Sequence, residues 1–512
     1  MYNNKKYILD FRLINLLTLL WLSSGVILFF IGWCRWYYSV PLSCLMLYVI
    51  LKSFKNDTSK GTVEIGRTKL WLACVVAVVM MAVCGIGGYV VQPNDHFGRN
   101  AIFSDTFNYS WPVYNKSENL YQCYYLAFWM VPALAGKLFN SINIGYFAQL
   151  VWISAAFILL YLNICRYMGK ARLSYLFFFY FFCGLKIIEC FVFLPFVTHN
   201  NFIHDTILTL ATNGSPQAFH AGPMVQLLYD PYNQTIPLFL GMMLIFNNCK
   251  SRMILFYYSL LLLYAPFPFA GLGPIVFVIW IENLLCIGKH KASCIFSVEN
   301  ITALLVLTIS LLYLLSNING SYRGWRMVDS WPAFIYGFIV YVVFEYLVYF
   351  LIGYKACRDK LVLWTAFITT CIFGWYQIGL HNDFCFRSNM PLIFILCLLV
   401  IRRYYMTETT KKIRAVIISC YVIGGLPAQI HPCLRLLSTG FIIAGQPQTI
   451  INNWQNIYDV RNMYIMQRTT TRDDGLKSTF NCGYWAWMCN SFKGSPDSFF
   501  FRHIAAKPGK WQ

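Results

Sequence analysis

The fold class this sequence predicts is an all-α polytopic integral membrane protein with about 11–14 transmembrane helices. Two observations predict it. The chain of 512 residues is 58% hydrophobic and only 12% charged, and its apolar runs recur along most of its length instead of forming one block. Its 40 Lys and Arg against 20 Asp and Glu gather in short clusters between those runs. A bilayer offers backbone amides no water, so the runs must be helical, and the period-two alternation of an outer-membrane barrel is missing. The net charge of +20 is therefore read as the positive-inside pattern of cytoplasmic loops, and nucleic acid is excluded as a partner.

With the basic clusters as cytoplasmic anchors, the chain can be walked across the membrane. The N-terminal stretch is too long for a signal-peptide core and has no small-residue cleavage site, so it is expected to be an uncleaved first span with a cytoplasmic N-terminus. Spans at 13–33, 36–51 and 70–91 put Lys5, Lys6, Lys52, Lys55, Lys60, Arg67 and Lys69 inside. The aromatic, Pro132-containing segment 121–139 is read as interfacial or re-entrant, because a full crossing would throw Arg166, Lys170 and Arg172 outward. Spans follow at 144–164, 173–190 and 235–246, then a hairpin of 253–266 and 271–286 broken by "PFPFAGLGP". Further spans are expected at 301–315, 332–352, 361–380 and 390–401, and a last one from 415. The sum is about thirteen crossings, several shorter than the roughly 20 residues of a full span. The transmembrane domain is expected over 1–430, with outer loops at about 92–142, 191–234, 316–331 and 381–389. A small extracytoplasmic segment is expected over 431–512.

The 19 cysteines are scattered, many inside apolar runs, with no CxxC pair and no zinc spacing, so most read as small buried hydrophobes. Cys433, Cys482 and Cys489 can form a disulfide if the tail is exported, with the pairing open. No phosphate loop, nucleophile elbow or zinc helix occurs.

Most residues capable of chemistry fall in the outer loops. "PNDHFGRNAIFSDTFNYSWPVY" (93–114) carries Asp95, His96, Arg99, Asn100, Asp105 and Trp111. The second loop carries His199, Asn200, His204, Asp205, Gln217, His220, Gln226 and Asp230. Arg323, Arg326 and Asp329 lie in the third, and His381, Asp383 and Arg387 in the fourth. A wet loop needs no chemistry to explain any one of these. Asp95 and Asp383, however, follow span ends at headgroup level, the long loops are rich in prolines and aromatics, and cations stand among the acids, so a phosphate can be held beside a general base. Such a carboxylate can ligate a divalent metal (Mg or Mn, with Asp95 and Asp105 as ligands), deprotonate a hydroxyl or pair with an arginine. Arg387 with Arg323 or Arg326 can clamp a phosphate or pair with Asp383 and Asp329. Trp111, Tyr114 and Trp129 can stack on sugars or form an interfacial belt.

Asp95, Asn100, Ala101, Ile102, Asp105 and Trp111-Pro112-Val113 resemble a pattern of large bacterial membrane proteins of the GT-C glycosyltransferase type, with Gly98-Arg99 where basic-His is expected. "NDFCFRSNMP" is similar to a second block, matching at Asn382, Asp383, Phe384, Arg387 and Pro391, and "FFFRHIAAK" to a closing one. The resemblance implies transfer of a sugar from a polyprenyl-phosphate donor to a glycan or lipid-linked acceptor, on the outer face of the bacterial cytoplasmic membrane. It implies Asp95, with Asp105, as base or metal ligand, His96 as a substitute base, Arg387 on the donor phosphate, and Asp383 orienting it or binding the acceptor. An O-antigen or capsule polymerase or ligase is the rival enzyme. A transporter or flippase of lipid-linked glycans is the rival from another class; it calls for charges at mid-membrane depth, where Lys186, Glu189 and Glu345 are the candidates.

Overall fold

The computed structural model describes residues 6–57, 59–93, 96–116, 119–185, 188, 219, 221–286, 295–318, 323–326, 331–378, 382–443 and 492–508. Most apolar runs among the described residues become helices. Strands there are confined to an antiparallel pair of β1 (Lys6–Asp10) with β2 (Thr62–Gly66), a three-stranded patch of β3 (Tyr114–Asn115), β4 (Leu120–Gln122) and β7 (Lys493–Gly494), and the pair β5 (Arg323–Trp325) and β6 (Tyr376–Ile378).

Among the described residues, six helices are long and apolar enough to cross a membrane: Phe11–Trp33, Trp36–Asn56, Ile142–Met168, Pro266–Cys286, Phe334–Tyr354 and Asp383–Tyr405. Shorter apolar helices at Ala127–Leu138, Val298–Leu314 and Lys360–Phe373 accompany them. The chain is a helical, membrane-embedded protein. Against the expected thirteen crossings, the described residues hold six full-length candidates and three shorter apolar helices.

The first helix, α1 (Phe11–Trp33), is opened by Asp10, whose carboxylate accepts from the Arg12 amide. It runs against α2 (Trp36–Asn56), and α3 (Arg67–Val83) follows directly on β2. Next come α4 (His96–Asn108), α5 (Ala127–Leu138) and the long α6 (Ile142–Met168), which packs on α1, α3 and α5. A Cβ at Gly25 would sit 2.1 Å from the Ala127 carbonyl oxygen. Only glycine lets the α1 and α5 backbones meet there, as small residues do at membrane helix contacts. Twelve residues make α5 about 18 Å long, too short to span, in keeping with its reading as a non-crossing helix.

Two expected spans differ. Of 173–190, α7 (Ser174–Tyr180) is helical and 181–185 run irregularly, with the Leu185 amide donating to the Phe344 carbonyl and the Met224 amide to that of Phe182. Non-helical backbone at this depth survives because protein supplies its partners. The "PFPFAGLGP" stretch does not break a hairpin. It forms the first part of a continuous helix, Pro266–Cys286, where Pro266 and Pro268 fall in the opening turn, whose amides have no intrahelical acceptor, and Pro274 lies inside the helix.

The molecule has two distinct ends. At one, Arg166 of α6 donates to Asn15 Oδ1, Ser59 Oγ, Asn248 Oδ1 and the Asn247 carbonyl, and Asn15 donates to Asp57 at 2.8 Å. Lys52, Lys69, Lys170, Arg172, Lys250 and Arg252 line cavities at this end, so the basic clusters do gather together. At the other end Trp33 meets the closing segment: the Ala506 amide donates to its carbonyl, and Phe501 stacks on Tyr121 with 4.1 Å between rings. Residues 492–508 of the expected tail therefore dock on the main body.

Candidate functional site

The 93–114 stretch contains a helix that its polar composition hides. Backbone bonding begins at His96, whose amide donates to the Pro93 carbonyl, and α4 ends at Asn108 ahead of Trp111-Pro112. Nearly all of α4 is buried, polar residues included, so their partners must come from protein. Asn100 donates to Gln92 Oε1 at 2.6 Å, and Gln92 to the Gly85 carbonyl. Gln122 donates to the Ile102 carbonyl and accepts from Thr106.

His96 and Arg99 share one face of α4, being three apart. Asp105 is turned about 120° away from Arg99 at 3.6 residues per turn, so it is buried on a different side. Arg99 lies over the Tyr232 ring, 5.4 Å from its centre.

The Arg99 charge and the fourth loop's Arg387 both act on a tyrosine pair, Tyr124 and Tyr125. Asn382 adopts the left-handed conformation at φ 51°, which asparagine tolerates, and its side chain caps the Cys385 amide. That starts a short helix, Asp383–Ser388, with Asp383 and Arg387 one turn apart on one side. Arg387 donates to Asp383 Oδ1 at 3.3 Å and to the Tyr125 hydroxyl at 3.2 Å. Tyr124 donates to Tyr125, as does Gln234 from the opposite side at 3.0 Å. Burial pushes the Tyr124 and Tyr125 hydroxyls up, while the guanidiniums of Arg387 and Arg99 pull them back; both remain raised and protonated. Two cations from distant stretches thus act on one hydroxyl pair, a setting that favours an oxyanion. The Asp383 side chain is 32% exposed, so the cluster opens to solvent there.

His96 is fully buried. Its Nε2 is 2.7 Å from the Tyr229 carbonyl, which can only accept, so the proton is on Nε2. Burial, then the Arg99 charge, holds its pKa well below the usual imidazole value, leaving a neutral ring. Arg435, from the helix Ile430–Ile443, stacks on Tyr229 at 4.2 Å and adds to that field.

Other expected residues sit elsewhere. Trp111 packs on Gly32 and Trp33, donates to the Thr106 carbonyl and carries Lys137 over its ring, so its faces are taken up by protein. Trp129 is buried in the core and not at an interface. Tyr114 bonds Asn119. Arg323 is an exposed β5 residue paired with Ile378 across to β6. Arg326 is sandwiched near Phe219 and Phe334, and burial lowers its pKa. Gln226 donates to Asp230 at 3.1 Å. Cys433 is an exposed free thiol. Asp95, His381, Asp329, His199, Asn200, His204, Asp205, Gln217, His220, Lys186, Glu189, Cys482 and Cys489 lie outside the described residues. Among the described residues no group of three His, Cys, Asp or Glu side chains gathers to hold a metal.

Tyr124, Tyr125, Gln234 and Arg435 were not singled out from sequence; the doubled tyrosine after Cys123 was the only local signal. No family model, curated protein or solved structure matches the chain.

Proposed function

We propose that this protein is a GT-C-type membrane glycosyltransferase that moves a sugar from a polyprenyl-phosphate donor to a glycan or lipid-linked acceptor. The observation that carries this reading is the meeting of Arg99 and Arg387 at Tyr124 and Tyr125, beside the partly exposed Asp383. A lipid-linked donor presents its phosphate at headgroup level, and paired guanidiniums neutralise the charge that grows on that phosphate as the sugar leaves. Asp95 is assigned the base that deprotonates the acceptor hydroxyl, with attack from the opposite side inverting the anomeric centre. Asp105, on another side of α4 from Arg99, takes the lesser share; Asp95 and Asp105 are the ligands if the reaction uses Mg or Mn.

A second reading, transport of lipid-linked glycans, draws on Glu345. It is buried in the middle of the Phe334–Tyr354 helix, inside a π-helical turn of Val342–Leu347, and intramembrane carboxylates of this kind mark pathways.

Proteoliposomes loaded with a panel of polyprenyl-phosphate sugars and mixed acceptors separate the readings. Transfer that disappears in Asp95→Asn and persists in Glu345→Gln supports the transferase. Transfer tolerated by Asp95→Asn points to a polymerase-type enzyme. Movement of labelled lipid-linked glycan across the bilayer without transfer, abolished by Glu345→Gln, supports transport.

A further inference from the structure

The basic end of the molecule holds two cavities of similar size and different electrostatics. The one of about 600 Å³ is lined by Lys52, Lys250 and Arg252 against Glu299 and Asp57; Lys52 pairs with Glu299 at 2.8 Å and Asp57 bonds Asn15 and Ser59, so its cations exceed its acids only slightly. The one of about 570 Å³ lies where β2, the start of α3, the end of α6 and the 169–172 turn converge. It is lined by Lys69, Arg166, Lys170 and Arg172 with one acid, Glu64, and Glu64 is already paired with Lys6 at 3.2 Å. Arg166 is saturated by the Asn15 and Asn248 network and Arg172 stacks on Tyr405 at 4.6 Å, which leaves Lys69 and Lys170 as exposed cations with no ion pair among the described residues. From Lys69 upward, α3 presents Trp71, Leu72, Val75 and Val79 as an exposed apolar stripe at helical spacing.

We propose that this cavity binds the phosphate of an anionic phospholipid headgroup, with Lys69 and Lys170 as its ligands and the acyl chains lying along the α3 stripe. Basic pockets between helices at the positively charged membrane face select anionic lipids by charge. The apolar stripe continuous with the cavity is what a soluble phosphate would leave unused. The site is independent of the proposed transferase and lies at the opposite end from Arg387.

Native mass spectrometry of the full chain in detergent tests this with phosphatidylglycerol, phosphatidylcholine and inorganic phosphate. The expected result is retention of phosphatidylglycerol over phosphatidylcholine, reduced about tenfold in Lys69→Gln/Lys170→Gln and unchanged in Lys411→Gln/Lys412→Gln, which removes two charges elsewhere. All four lysines are exposed, and an unchanged thermal transition confirms folding. Equal loss in both double variants, or equal retention of the two lipids by the native chain, overturns the site. Displacement of the lipid by millimolar inorganic phosphate would assign the cavity to the free anion and overturn the lipid.

Discussion

Arg166 and Arg387 sit at opposite ends of the bundle and are used in different ways. Arg166 is bonded to four groups from α1, the loop after α2 and the 247–248 turn, so its charge ties helix ends together. Arg387 reaches one tyrosine hydroxyl and one partly exposed carboxylate a turn away on its own short helix. A guanidinium surrounded by the protein's own acceptors stabilises the fold. On the proposed reading, one held between a hydroxyl and a partly exposed acid meets the donor phosphate, and the contrast separates a structural end from a working end.

The largest effect should come from breaking the structural side. Arg166→Ala removes the hydrogen bonds to Asn15, Ser59, Asn248 and the Asn247 carbonyl, and the positive charge that favours the Asp57 carboxylate, at a helix junction. It should cost about 3 kcal/mol, read as a large fall in the thermal transition in detergent, with whatever protein remains folded keeping its site intact. Gly25→Ala comes next: the new methyl meets the Ala127 carbonyl, and the forced shift of α5 should cost about 2 kcal/mol. An unchanged melting temperature would show that α1 and α5 do not approach as described.

On the working side, Tyr125→Phe deletes the hydroxyl that receives Arg387, Gln234 and Tyr124. Stability should fall by only about 1 kcal/mol, while transfer falls about tenfold through a weaker hold on donor, so that a rise in KM exceeds the fall in kcat. An equal loss of stability and activity would make the tyrosine merely structural.

The smallest effect is a pH dependence. His96 is held neutral, with its folded pKa depressed below the unfolded value. Its contribution is fully present above about pH 6.5 and is lost as pH falls toward the folded pKa, because only the unfolded chain takes up the proton. The thermal transition should decline from pH 7.5 to 5.5 in the native chain and stay flatter in His96→Gln.

Different physical signals made different parts of this protein legible. The long helices were readable because hydrophobic runs have no alternative in a bilayer, and the gathering of Lys69, Arg166, Lys170 and Arg172 followed from charge distribution alone. Asp383 and Arg387 were readable as charges at a span end. The α4 helix was not, because its burial is polar and no apolar period announces it. Tyr125 and Gln234 were hidden for another reason: they meet at the Arg387 guanidinium's tyrosine partner only because the helix Tyr232–Asn247 and the turn at 123–126 come together in three dimensions. The packing of Trp111 was not legible, since an aromatic beside a loop proline gives no sign that Gly32 leaves room for its ring.

The most direct test of the working end is the initial rate of sugar transfer in proteoliposomes against the membrane fraction of polyprenyl-phosphate donor, for the native chain and for Arg387→Ala. The account predicts that kcat/KM falls by about 100-fold with the thermal transition shifted little, and that Arg387→Lys recovers part of it. Native rates in Arg387→Ala would contradict it and remove the tyrosine-arginine cluster from the chemistry.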